Sequence, residues 1–141
     1  MNESSEVLRI LVVDDSAVSR KLAEYAFSGK PYEVFFADGG QQALKLFASH
    51  RPDVVITDWM MPDLSGVELC QIIRNKLNCR DTYLILLTSN SREDHITEGL
   101  AAGADGYLTK PLRSDEILAQ IRTARGVLKM RRQLEPNKSL S

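Results

Sequence analysis

The sequence predicts an α/β fold in which five parallel strands form a doubly wound sheet flanked by five helices. Three observations carry that expectation. Short apolar segments alternate five times with stretches of helical periodicity, the first segment is a nearly continuous β-branched run, and the segments end on charged or hydroxyl residues. At 141 residues, a single domain is expected, with residues 1–6 as an N-terminal tail and residues 7–126 as the domain proper.

The first strand is the run Val7, Leu8, Ile10, Leu11, Val12, Val13, which stops abruptly at Asp14 and Asp15. Ser16 then caps a helix whose apolar positions Val18, Leu22, Tyr25 and Ala26 recur at helical spacing and mark its expected inner face; Gly29 and Lys30-Pro31 end it. The second unit pairs a strand at 33–37 with a helix at 41–49, and the third a strand at 54–57 with a helix near 65–75. A strand at 83–88 precedes a helix near 92–102, and a strand at 106–109 precedes a last helix starting at Ser114. Strands alternating with helices of this length argue for right-handed crossovers, and in such sheets ligands bind beyond the carboxyl ends of the strands.

Composition excludes several classes of partner. Lys plus Arg number 18 against 19 Asp plus Glu, a formal charge of -1, so there is no bulk electrostatic case for direct nucleic-acid binding or for an anionic membrane. No apolar stretch approaches the roughly 20 residues that span a bilayer. Cys70 and Cys79 form no CxxC pair or disulfide framework and no secretory leader opens the chain, so a reducing cytoplasm is the expected location.

The strand ends deliver Asp14 and Asp15, Asp58, Thr88 and Lys110. Taken singly, each has a bland role: the acidic pair caps a helix, Asp58 forms a turn before Met61-Pro62-Asp63, and Thr88 with Ser89 caps the next helix. Taken together they fall on one rim, while the opposite strand ends show no comparable set. Three carboxylates on one edge repel one another unless protons or a cation compensate. Mg²⁺ suits them, because it uses oxygen ligands, keeps waters and needs only one or two carboxylates beside a phosphoryl oxygen; Mn²⁺ is a substitute in vitro. No EF-hand loop favours Ca²⁺ and no His/Cys cluster favours Zn²⁺. Lys110 can pair with a carboxylate at rest and with a phosphoryl oxygen when one is attached.

At these residues the sequence resembles the response-regulator receiver family, including its single-domain chemotaxis type, from about Leu8 to Gly126. The resemblance rests on "ILVVDDS", "VVITDWMMPDLSG", "LILLTS" and "GADGYLTKPL", in that order. It implies a flavodoxin-like sheet of order 2-1-3-4-5, Asp58 as phosphoacceptor, Asp14, Asp15, Asp58 and the Met60 backbone carbonyl as Mg²⁺ ligands, and phosphoryl contacts from Thr88 and Lys110. It further implies a cis peptide at Lys110-Pro111 and an output switch in which Thr88 moves towards the phosphoryl group and Tyr107 turns inward. The implied protein is a signalling domain that catalyses only its own phosphorylation and dephosphorylation. The implied partners are a sensor histidine kinase or phosphotransfer protein, a downstream effector or linked output domain, and a second copy through the fourth and fifth helices.

Met60 and Asn90 stand where this family tunes access of the hydrolytic water, and Met60 offers that water no side-chain hydrogen bond, so a long phosphorylated lifetime is expected. His50 and His95 read as surface histidines, and Cys70 on an apolar helix face with Cys79 in a polar loop gives little support for a nucleophilic dyad. Helical character continues through Ile117, Ile121, Ala124, Leu128 and Leu134 until Glu135-Pro136-Asn137. Lys129, Arg131 and Arg132 suit the dipole at its end. The stretch "RTARGVLKMRRQL" resembles the linker from a receiver into an output domain, such as those of cyclic-dinucleotide signalling, so residues 127–141 are expected to extend the helix towards a further domain. Two rival readings remain at this point. A Mg²⁺-dependent aspartyl-phosphate hydrolase would need a second aspartate in a D-x-D-x-T motif, which Asp58-Trp59-Met60 lacks; a phosphorylation-independent interaction module would have no use for the full site.

Overall fold

The computed structural model describes residues 7–89 and 93–134, with side chains left aside at 93–95. Asn90, the side chain of His95 and the expected stop at Glu135-Pro136-Asn137 lie outside the described residues. The elements run β1 Leu8–Val13, α1 Ala17–Phe27, β2 Tyr32–Ala37, α2 Gly40–His50, β3 Val54–Asp58, α3 Gly66–Gln71, β4 Tyr83–Thr88, α4 Glu93–Ala101, β5 Gly106–Thr109 and α5 Ser114–Gln133. The sheet is parallel throughout, in the order β2-β1-β3-β4-β5.

Strand alternation divides the core in two. Ile10, Val12, Val54, Ile56, Ile85 and Leu87 point to the face covered by α1 and α5, where Ala23, Phe27, Ile117, Ile121, Ala124 and Leu128 meet them. Leu11, Val13, Val55, Leu84 and Leu86 point the other way, onto Phe47 of α2 and Leu69, Cys70 and Ile73 beside them. Both faces are dry, which is why β3 and β4 are buried along their whole length. Each Leu or Ile withdrawn this completely contributes roughly 1.5–3 kcal/mol.

The inner face of α1 is not the one expected from its large apolar residues. Val18 and Tyr25 are 71% and 77% exposed and Leu22 is also exposed, while Ser19, Ala23, Ala26 and Phe27 are buried. Small residues let α1 lie close to β1, β2 and α5, so size at the contact decides its rotation. The helix ends at Phe27, with Gly29 at φ +74°.

α3 does not run on as one α-helix. Its α-helical part is capped by Ser65 and Glu68 in a reciprocal capping box, and from Ile72 to Lys76 it widens into a π-helical turn. Cys79 is buried rather than exposed in its loop, and Cys70 is fully buried, with burial pushing its thiol up to about 12. His50 stacks on Phe35 at 4.1 Å between ring centroids.

Candidate functional site: a carboxylate rim at the strand ends

β1 and β3 lie side by side, so their last residues are neighbours. Asp14 follows β1, with its N–H donating to the Ala37 carbonyl at 3.0 Å as the β1–β2 pairing runs out. Its Oδ1 accepts the Ser16 N–H at 2.9 Å, and its backbone carbonyl accepts Arg20 Nη1 at 2.7 Å. Ser16 in turn caps α1 by accepting the Ser19 N–H. These contacts fix Asp14 completely inside the protein, at 0% exposure.

Asp14 Oδ2 is the consequence of that fixing. It is out of water, accepts no well-directed hydrogen bond, and has the Lys110 ammonium 3.0 Å away as an ion-pair partner. Lys110 also lies 3.3 Å from Asp58 Oδ1, which accepts the Trp59 N–H at 2.9 Å. Carboxylate oxygens of Asp14, Asp15 and Asp58 all fall within 4.8 Å of one another, with Asp15 facing solvent and the other two buried.

One ammonium does not balance three carboxylates at this spacing. Burial first, and the charge of Asp14 second, raise the Asp58 carboxyl to about 6 in spite of Lys110. Burial works against the Lys110 ammonium, but Asp14 and then Asp58 more than offset it, and its pKa is raised. The set fits a hard divalent cation: acidic oxygens from two strands, one fully buried and without a directed hydrogen-bond partner, on an edge open to solvent through Asp15.

The rim extends across the next two strands. Thr88 closes β4 and is buried, and its carbonyl accepts the Lys110 N–H at 2.9 Å, which sets Lys110 one step beyond Thr109 in the β4–β5 pairing. The Lys110–Pro111 peptide is cis. Tyr107 is 42% exposed, and a small crevice lined by Thr88, Tyr107, Trp59, Leu86, Ile96 and Gly99 lies where α4 packs on the sheet. Met60, two residues after Asp58, holds its side chain 72% exposed.

Two residues that position this rim carried no role in the sequence. Gly66 opens α3, where its N–H donates to the Trp59 carbonyl at 2.9 Å. Asp63 accepts the N–H groups of Gly40 and Gln41 at 3.1 and 2.9 Å, and so caps α2, whose own N-cap Gly39 has no side chain to do so. The loop that follows Asp58 is thereby tied to α2 at one point and closed by α3 at another. The opposite rim carries acidic residues too, but of a different kind. Asp53, Asp81 and Asp105 precede β3, β4 and β5 at the opposite rim, but each is paired with arginine.

Comparison with known proteins agrees with the geometry. The sequence pattern of the family described as the response regulator receiver domain matches residues 10–122. The chain is similar to the response regulator MprA of Mycolicibacterium vanbaalenii, 42% identical over 115 residues that cover 82% of this chain and 49% of that protein. It is 36% identical to the phosphate regulon transcriptional regulatory protein PhoB of Pseudomonas aeruginosa over 113 residues, 80% of this chain and 49% of that one. The chain thus spans about half the length of the curated relatives it matches. Among solved structures, the chemotaxis protein CheY4 of Vibrio cholerae superimposes with a TM-score of 0.79 at 30% identity, covering 84% of this chain and 99% of that one. The signal receiver domain of an HD domain-containing protein from Pseudomonas fluorescens Pf-5 gives 0.81 at 30% identity, with 89% and 99% covered.

Proposed function

The chain belongs to the response-regulator receiver family as a receiver domain of the two-component type, and from that premise we propose that it accepts a phosphoryl group on Asp58 and uses the modification to switch an output surface. The observation that supports this most is the meeting of Asp14, Asp15 and Asp58 within 4.8 Å, with Lys110 shared between Asp14 and Asp58. No helix of the described residues is long and apolar enough to cross a membrane.

In this reading an Asp58 carboxylate oxygen attacks the phosphorus of a phosphohistidine in line, the phosphorus–nitrogen bond breaks, and the leaving imidazole takes up a proton. Asp14, Asp15, Asp58 and the Met60 carbonyl would hold Mg²⁺, which would supply positive charge for the phosphoryl oxygens. Lys110 exchanges its contact with Asp58 Oδ1 for a phosphoryl oxygen, and backbone N–H groups after Asp58 add donors. Thr88 then turns its hydroxyl to the modified group, and Tyr107, now half outside, moves into the gap beside Thr88. Hydrolysis of the acyl phosphate at the same rim resets the domain.

The donor is a sensor histidine kinase or a phosphotransfer protein, and the recipient of the signal is an effector or a covalently linked output domain. A phosphorylated homodimer through α4 and α5 would use the surface around Leu100, which is exposed; sedimentation with and without beryllofluoride tests it. The central test is incubation with a small phosphodonor, with and without Mg²⁺. The expected result is a Mg²⁺-dependent mass gain of about 80 Da, one phosphoryl group, that is absent in Asp58→Ala. Labelling that persists in Asp58→Ala overturns the assignment.

A further inference from the structure

α5 covers the sheet from the phosphoacceptor rim to the opposite one. Its 20 residues span about 30 Å at 1.5 Å per residue, starting four residues after Lys110. Ile117, Ile121, Ala124 and Leu128 hold it against the sheet by apolar contact. Beyond Leu128 the apolar contact ends and a polar one takes over.

Arg131 pairs with Asp105 through two nitrogens, reaches the Thr82 and Asp81 carbonyls at 3.3 and 3.4 Å, and lies over the Tyr83 ring at 5.8 Å. Arg132 reaches Asp53 at 2.6 Å and Asp81 at 3.3 Å. The three aspartates occupy equivalent places in the fold, each shortly before a strand, and two of them are also fixed from their other side. Asp105 also accepts Arg74 at 2.6 Å and the Leu84 N–H at 2.8 Å, and Asp53 accepts the Arg9 N–H at 2.9 Å. Asp105 is only 14% exposed in its side chain, so this is no loose surface pair.

We infer that Arg131 and Arg132 form a clasp on the aspartates preceding β3, β4 and β5, and that the clasp fixes the direction and helical phase in which the chain leaves the domain at Leu134. Helix-dipole compensation alone would leave both arginines pointing into solvent. Because they turn inward instead, Met130 and Leu134 are held outward, 60% and 76% exposed, at i and i+4 on one flank. The course of α5 as far as Leu134 is then set by the domain body. The inference stands on α5 and the far rim, and is independent of chemistry at Asp58.

Spin labels on Lys45→Cys and Gln133→Cys, both exposed positions, test this by electron–electron distance measurement; the native cysteines are buried. The expected result is one narrow distance distribution in the otherwise native chain and a distribution at least twice as broad with Arg131→Ala and Arg132→Ala combined. Should the double variant fail to fold, Arg132→Ala alone, at the more exposed end of the clasp, is expected to broaden it measurably. A broad distribution in the native chain, or an unchanged narrow one in the folded variants, overturns the inference.

Discussion

A Cβ on Gly66 would stand 2.2 Å from the backbone carbonyl oxygen of Asp58. No side chain can occupy that space, because the obstacle is backbone at the last residue of β3, and the Leu86 side chain blocks the next way out at 3.0 Å. The start of α3 is therefore pressed against Asp58. Gly66→Ala should cost at least about 2 kcal/mol, in the range of core overpacking, and should also slow labelling of Asp58 by a small phosphodonor. Denaturant midpoints and labelling rates measured on one preparation check both. Native stability with native labelling would show that the loop yields easily.

How far the sequence could be read depends on what the message was written in. The parallel sheet and the rim were legible because burial on two faces leaves continuous runs such as Val54–Ile56, and because Asp14, Asp58, Thr88 and Lys110 are chemically distinctive at strand ends, while the strand order followed only from the family resemblance. The rotation of α1 was not legible. Its large residues Val18, Leu22 and Tyr25 suggested a core face, whereas the contact with β1, β2 and α5 admits only Ser19, Ala23, Ala26 and Phe27. Gly66, Asp63 and the arginine clasp were hidden for another reason. Each acts on a group that only the packed fold brings to it, Gly66 on Asp58, Asp63 on Gly40 and Arg132 on Asp53.

The raised Asp58 carboxyl predicts a pH dependence in protein stripped of divalent ions. Its ordinary value is 3.8 and its folded value about 6, so between these the folded protein keeps a proton that the unfolded chain has lost. Stability should fall as pH rises through that window and level off above it, by an amount on the order of 3 kcal/mol. Asp58→Asn removes the titrating group. In chelator, the variant should melt higher than the native protein at pH 7.5, with the difference shrinking towards pH 4. Added Mg²⁺ should raise the melting temperature of the native protein more than that of the variant. Equal melting curves in chelator at both pH values would rule out a strained carboxylate cluster.

Asp63 carries the opposite sign. The N–H groups of Gln41 and Gly40 hold its carboxyl below the usual range, so its contribution is present above pH 4 and is lost as pH falls through the lowered value. Asp63→Ala should speed amide exchange at Gly40 and Gln41 several-fold at neutral pH while leaving β1 and β3 amides protected. Asp63→Asn, which keeps an acceptor oxygen, should recover part of the protection. Unchanged exchange at Gly40 in Asp63→Ala would mean that α2 holds its first turn without the loop.

The outward stripe on α1 separates a protein donor from a small one. Val18, Leu22 and Tyr25 recur at i, i+4 and i+7 on one exposed face, three residues downstream of Asp15 at the rim. A helix that shows its large apolar residues to solvent while burying Ser19 offers an apolar surface beside the carboxylate rim. If a phosphohistidine-bearing protein seats there, Leu22→Ala with Tyr25→Ala should slow transfer from that protein by at least about 10-fold, equivalent to ~1.4 kcal/mol of lost contact. Transfer from a small phosphodonor should change less than about twofold, because both side chains face solvent. Equal slowing with both donors would place the effect in the fold or the rim, and no slowing with either would leave the α1 face without a part in transfer.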